Sequence, residues 1–137
     1  MMYSQKRAAQ YGAVRSAGLV ADASPTRLVQ IMYEQILSNL ETSRFCMQRI
    51  KGNLPWIEVK NKGVAMRRAL RLLSQLDASL NMEQGGEIAQ NLRNLYRYLL
   101  NRLTQANVLN DPEIVAEAMS LIARIKSGWD QIVRADR

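Results

Sequence analysis

With 137 residues, a formal charge of +7, one cysteine and no histidine, the chain is long enough for one domain with a proper core and poorly equipped for catalysis. Histidine is the commonest general acid–base and metal-binding side chain, and neither a glycine-rich phosphate loop nor a carboxylate cluster at metal-ligand spacing replaces it. An enzyme, a cofactor and a metal site are therefore not expected. Cys46 cannot form an internal disulfide, no apolar run approaches the ~18 to 20 residues of a membrane-spanning helix, and no signal pattern opens the chain, so the expectation is a soluble cytosolic protein without stable membrane insertion.

Residues 1–23 show no sustained helical or strand periodicity and are rich in Ala, Gly, Ser and Gln. They read as a flexible N-terminal arm with Tyr11, Leu19 and Val20 among its apolar content. The domain proper, residues 24–137, begins at Ser24-Pro25, a hydroxyl cap followed by proline at the first helical position, where its missing N–H costs nothing. Val29, Met32, Tyr33, Ile36, Leu40, Met47 and Ile50 then share one helical face, and Gly52-Asn53 stops the helix. Pro55 opens a second helix striped by Val59, Met66, Ala69, Leu70, Leu73, Leu76 and Leu80. A third runs from the Gly85-Gly86 pair to Asn107 with Ile88, Leu92, Leu95, Leu99, Leu103 and Ala106 on its inner face. A fourth starts at Asp111-Pro112 and carries Val115, Ala118, Ile122, Ile125, Trp129 and Ile132. Four amphipathic helices joined by short turns predict an all-α antiparallel four-helix bundle.

Several residues fall outside these stripes and are candidates for binding. Ile31 and Phe45 sit roughly opposite the core face of the first helix, Ala65 and Leu72 widen the stripe of the second, and Tyr98 and Leu100 flank that of the third. Grooves between bundle helices with such apolar surplus suit an incoming amphipathic helix, although a wide stripe also serves an ordinary core. Cys46, on the flank of the first stripe, reads as a small buried hydrophobe.

Charge is unevenly placed. Between Arg44 and Arg71 lie eight cations against Glu58 alone, so this segment carries the whole net charge of +7. Lys60, Arg67, Arg68 and Arg71 gather on the side of the second helix away from its stripe, either as a solvated face or as an electrostatic patch. A basic bundle binding nucleic acid or an anionic surface is thus the alternative reading. Against nucleic acid, no nucleic-acid-binding motif is present and no aromatic residues are interleaved with the patch.

The block from Gly85 to Asn107, with its GGEIA start, Asn91-Leu92, Leu95-Tyr96 and Tyr98, resembles the signature of the flagellin-export chaperones, the FliS family. Tyr11, Ala23-Ser24-Pro25 with Leu28 and Ile31-Met32-Tyr33, and Gly128-Trp129 near the end extend the resemblance over about 120 residues, essentially the whole domain. Glu34-Gln35 stands where family members often have Asp-Gly. The resemblance implies a cytosolic chaperone that binds the disordered C-terminal segment of flagellin as helices on its surface, prevents premature polymerisation and keeps the client competent for type III flagellar export. It also leaves room for contact with a component of the export gate. The client would lie against Tyr11, Ile31, Phe45, Ala65, Leu72, Tyr98 and Leu100, and the arm, through Tyr11, Leu19 and Val20, would plug part of the groove when no client is bound.

Overall fold

The computed structural model describes residues 24–50 and 55–135. Among them are four helices: α1 Pro25–Ile50, α2 Trp56–Ala78, α3 Gly86–Leu109 and α4 Pro112–Ala135. Each packs against two neighbours in the cyclic order α1, α2, α3, α4. Side-chain bridges fix the directions. From α1, Ser43 Oγ donates to the Lys62 carbonyl of α2 and Arg49 pairs with Glu58, so the two helices run antiparallel. Lys62 meets the C-terminal end of α3 while Asp77 meets Arg93 near its start, and Gln30 at the beginning of α1 reaches Asp130 at the end of α4. The expected all-α antiparallel bundle is the architecture observed.

The helix starts follow from local chemistry. Ser24 Oγ accepts the Arg27 N–H at 3.2 Å, and Asp111 Oδ1 accepts those of Glu113 and Ile114 at 3.0 and 3.4 Å. These caps satisfy amides that the first turn leaves without helical partners. Entry into α3 depends on its two glycines for different reasons. A Cβ on Gly85 would lie 2.5 Å from the Ala89 Cβ and 2.7 Å from the Asn81 carbonyl oxygen, so the turn closes only around a bare backbone. Gly86 has φ +54°, a region that L side chains enter at a cost. At the other end of α3, Asn110 adopts the left-handed conformation, φ 54°, and its N–H bonds the Ala106 carbonyl. Lys62 adds a positive charge there by donating to the Asn107 carbonyl at 3.0 Å and to Asn110 Oδ1 at 3.4 Å, where the helix dipole favours a cation. The predicted Gly52-Asn53 stop lies outside the described residues.

The inner face of α1 is buried as its periodicity predicts: Val29, Met32, Tyr33, Ile36, Leu40, Met47 and Ile50 all enter the interior. Met66, Ala69, Leu73 and Leu76 meet them from α2, Leu99, Leu103 and Ala106 from α3, and Val115, Ala118 and Ile122 from α4. Each fully buried Leu, Ile or Met contributes roughly 1.5 to 3 kcal/mol through apolar area removed from water. Three predicted stripe residues do not follow. Ile88 is 75% exposed, and Val59 and Ile132 also face solvent. In the first half of α3 the fully buried line runs through Ala89 and Tyr96, one position after Ile88 and Leu95. The cause is polar as well as apolar, because the Tyr96 hydroxyl is hydrogen-bonded to that of Tyr33 across the bundle from α1. A buried hydroxyl needs such a partner, and this requirement fixes the rotation of α3 more tightly than leucine placement does.

Candidate functional site

Alongside this packed centre, α1 and α2 leave an open groove of about 400 Å³ on their shared outer side. Its walls are three turns of each helix: Asn39, Thr42, Phe45 and Cys46 from α1 face Glu58, Asn61, Val64, Ala65 and Arg68 from α2. Small side chains make the groove. Buried Ser43 lets the helices approach closely enough for its hydroxyl to reach the Lys62 carbonyl at 3.3 Å, while Thr42, Cys46 and Ala65 leave volume unfilled beside that contact.

The groove is apolar along its floor and polar at its margins. Val64, Ala65 and Cys46 supply the floor, and Phe45, 53% exposed, stands on the α1 side with the Arg49 guanidinium 5.5 Å from its ring centroid. Arg49 also holds Glu58 at 3.0 Å, so the carboxylate in the groove is already neutralised. Burial, reinforced by a hydrogen bond with Glu58, pushes the Cys46 thiol above its ordinary pKa, which keeps it protonated and poorly nucleophilic. Such a surface offers an apolar strip, amides and hydroxyls at its edge, and one unopposed cation, Arg68. It can seat a short amphipathic helix and contains no arrangement for bond-making chemistry.

The sequence-derived candidates divide among several surfaces. Phe45, Ala65 and Arg68 come together in the groove, Ala65 as part of its buried floor. Leu72 is buried in the central core, so its widening of the α2 stripe reflects core packing rather than a binding flank. Leu100 is half-buried against the same core, whereas Tyr98 remains 44% exposed and donates from its hydroxyl to Glu117 at 3.2 Å on α4. Both belong to α3, which is not a neighbour of α1 in the ring, and they do not join the α1–α2 groove. Ile31 is half-buried. Tyr11, Leu19 and Val20 lie outside the described residues.

Lys60, Arg67, Arg68 and Arg71 are all exposed and make no ion pair among the described residues. Cys46 is buried as expected, but its role as a groove-lining residue, with Asn39, Thr42, Asn61 and Val64, was not predicted from the sequence. The signal available was the run of small residues Thr42, Ser43 and Cys46 on one side of α1, which hydrophobic periodicity does not weigh. Trp56, whose setting the sequence leaves open, is 73% exposed at the start of α2. Among the described residues no group of three or more Cys, Asp or Glu side chains is placed to hold a metal ion, and no helix is long and apolar enough to cross a membrane.

Comparison with known proteins agrees with this architecture. The family described as flagellar protein FliS matches residues 7–136. The flagellar secretion chaperone FliSB of Pseudomonas aeruginosa is 36% identical over 131 residues, which cover 96% of this chain and 98% of that one. The FliS chaperone of Vibrio cholerae is 39% identical over 110 residues, 80% of this chain and 76% of its own. That of Salmonella typhimurium is 34% identical over 132 residues, 96% and 93% of the two chains. A match of this extent spans all four helices and the groove between α1 and α2, and the chain therefore belongs to the FliS family of flagellar secretion chaperones.

Proposed function

We propose that this protein is a cytosolic chaperone for flagellin, binding the disordered C-terminal segment of that client as helices on the bundle surface and holding it unpolymerised for type III flagellar export. The observation that carries this reading, within a family of secretion chaperones, is the open α1–α2 groove: an apolar floor of Val64, Ala65 and Cys46 with Phe45 exposed beside it. A monomeric surface with apolar wall and floor left open is suited to a partner segment. The client supplies its own order on binding. Coupled folding and binding buries ~1,000 to 3,000 Å² while several kcal/mol goes into ordering the chain, which leaves a specific complex that still releases its cargo. Ile31 and Tyr98 mark further points where a client longer than one groove continues around the bundle.

In this reading the arm, residues 1–23, occupies part of the client surface through Tyr11, Leu19 and Val20 when no client is present, and lowers apparent affinity by the fraction of time it does so. Calorimetry with the C-terminal peptide of the cognate flagellin tests the function directly. Binding at micromolar concentration, with helical circular dichroism greater than the sum of the separate components, is the expected result; absence of binding rejects the proposal. Deletion of residues 1–20 should tighten peptide binding, and unchanged affinity would remove the plug from the mechanism.

A further inference from the structure

Every cation of α3 pairs with a neighbouring helix, yet four cations of α2 do not, and they lie beside the groove. Lys60, Arg67 and Arg71 fall within an arc of about 40° on the outer side of α2 and span about 17 Å along it, given 3.6 residues per turn and a 1.5 Å rise. Arg68 sits roughly 100° from Arg67 and lines the groove itself. None makes an ion pair among the described residues, and the carboxylate nearest to hand, Glu58, is held by Arg49. A row of unopposed like charges raises the local potential and disfavours any covering segment of the same sign.

That row limits what can occupy the groove. The chain's own arm carries Lys6, Arg7 and Arg15 against Asp22, so residues 1–23 bring positive charge to a positive margin. A second copy of the protein brings a net charge of +7. Both occupants meet repulsion along α2, whereas a foreign helix with carboxylates on one flank meets complementary charge. We infer that the α1–α2 groove selects an amphipathic client helix whose apolar face enters between Phe45 and Ala65 and whose flank over α2 carries Asp or Glu at helical spacing, with Lys60, Arg67, Arg68 and Arg71 as the specificity-determining row. This rests on the client-binding reading above and names the chemistry that reading leaves open. The apolar floor supplies most of the affinity; the cations set which helix is accepted, in which direction it lies and how fast it arrives. An arm acting as a plug would engage by its apolar residues alone and would be displaced readily by a charge-matched client.

The test compares the wild type with the variant K60Q/R67Q/R68Q/R71Q, whose fold is first checked by circular dichroism. The probes are the C-terminal segment of the cognate flagellin and the same segment with its Asp and Glu replaced by Asn and Gln. Since exposed charge pairs are individually weak, the four together should weaken binding about ten- to thirty-fold at low salt and less at high salt, with most of the change in the association rate. Neutralising the peptide should weaken its binding to the wild type to a similar degree and leave its binding to the variant almost unchanged. Equal affinity of wild type and variant for the native peptide overturns this inference alone. So does peptide neutralisation that weakens both chains equally, or a row that captures phosphatidylglycerol vesicles or a short DNA duplex while contributing nothing to peptide affinity. Failure of the wild type to bind the native segment rejects the chaperone reading and this inference with it.

Discussion

Helices α2 and α3 lie side by side, bury comparable apolar faces in the same core, and use their arginines in opposite ways. On α3, Arg93 and Arg97 both turn to Asp77 of α2, at 3.3 and 3.8 Å, and Arg102 reaches Glu117 of α4 at 3.7 Å. These pairs join neighbouring helices. On α2, Lys62 is drawn into the C-terminal end of α3, but Lys60, Arg67, Arg68 and Arg71 have no such engagement among the described residues. The residue types are alike, and what separates them is which helix packs next to them. A cation facing an adjacent carboxylate helps assemble the bundle, whereas one facing solvent beside a groove is available to something outside it.

The comparison first requires that the two inner faces are equivalent. Leu73→Ala on α2 and Leu99→Ala on α3, both at fully buried sites, should each cost about 2 to 5 kcal/mol in chemical denaturation. A much smaller loss for one would show that the helices differ inside as well as outside. Next in size is the connection between them. Gly85→Ala forces a methyl against Ala89 and the Asn81 carbonyl and should destabilise by about 1 to 3 kcal/mol, which a thermal melt would register. Asp77→Asn removes the shared partner of Arg93 and Arg97 and should cost about 0.5 to 1 kcal/mol, with a smaller cost at high salt. By contrast, K60Q/R67Q/R71Q should change stability by no more than about 0.5 kcal/mol and should tend to stabilise at low salt as repulsion is relieved. A clear destabilisation there would break the distinction between the two helices.

The smallest effect concerns pH. Because the folded state raises the Cys46 pKa, the unfolded chain loses this proton first and binds fewer protons over that interval. The stabilising difference is present below the ordinary thiol range and is lost as pH rises through the folded-state pKa. Cys46→Ala should therefore show a slightly flatter alkaline limb in its stability curve. An identical slope would indicate that burial does not set the thiol's ionisation.

Much of the bundle was legible because helix α1 obeys one rule. Its inner residues are large, apolar and regularly spaced, and all seven predicted positions are buried. The caps at Ser24 and Asp111 were equally readable, since side-chain oxygen followed by proline has a local cause. The start of α3 was not. Periodicity ranks Ile88 and Leu95 above Ala89 and Tyr96, but the rotation of the helix answers to a methyl-sized gap at Gly85 and to a hydrogen bond with a residue 63 positions earlier. Neither is a property of the local pattern. The site was only partly legible for a related reason. Phe45, Ala65 and Arg68 were singled out by surplus and charge, while Asn39, Thr42 and Asn61 define the groove by being small or polar beside a close helix contact. Leu72 looked like surplus until the core that absorbs it was in view.

The bond between the Tyr33 and Tyr96 hydroxyls joins two helices that are not neighbours in the ring. Like a diagonal brace in a frame, it resists shear between α1 and α3, so α1 cannot readily roll to widen or narrow the groove it shares with α2. The receptor is thereby a fixed mould, and the burden of adjustment falls on the cargo. A carrier of this kind distinguishes cargoes by how well they conform to a rigid template, and it can return to service after each delivery without having to rebuild itself.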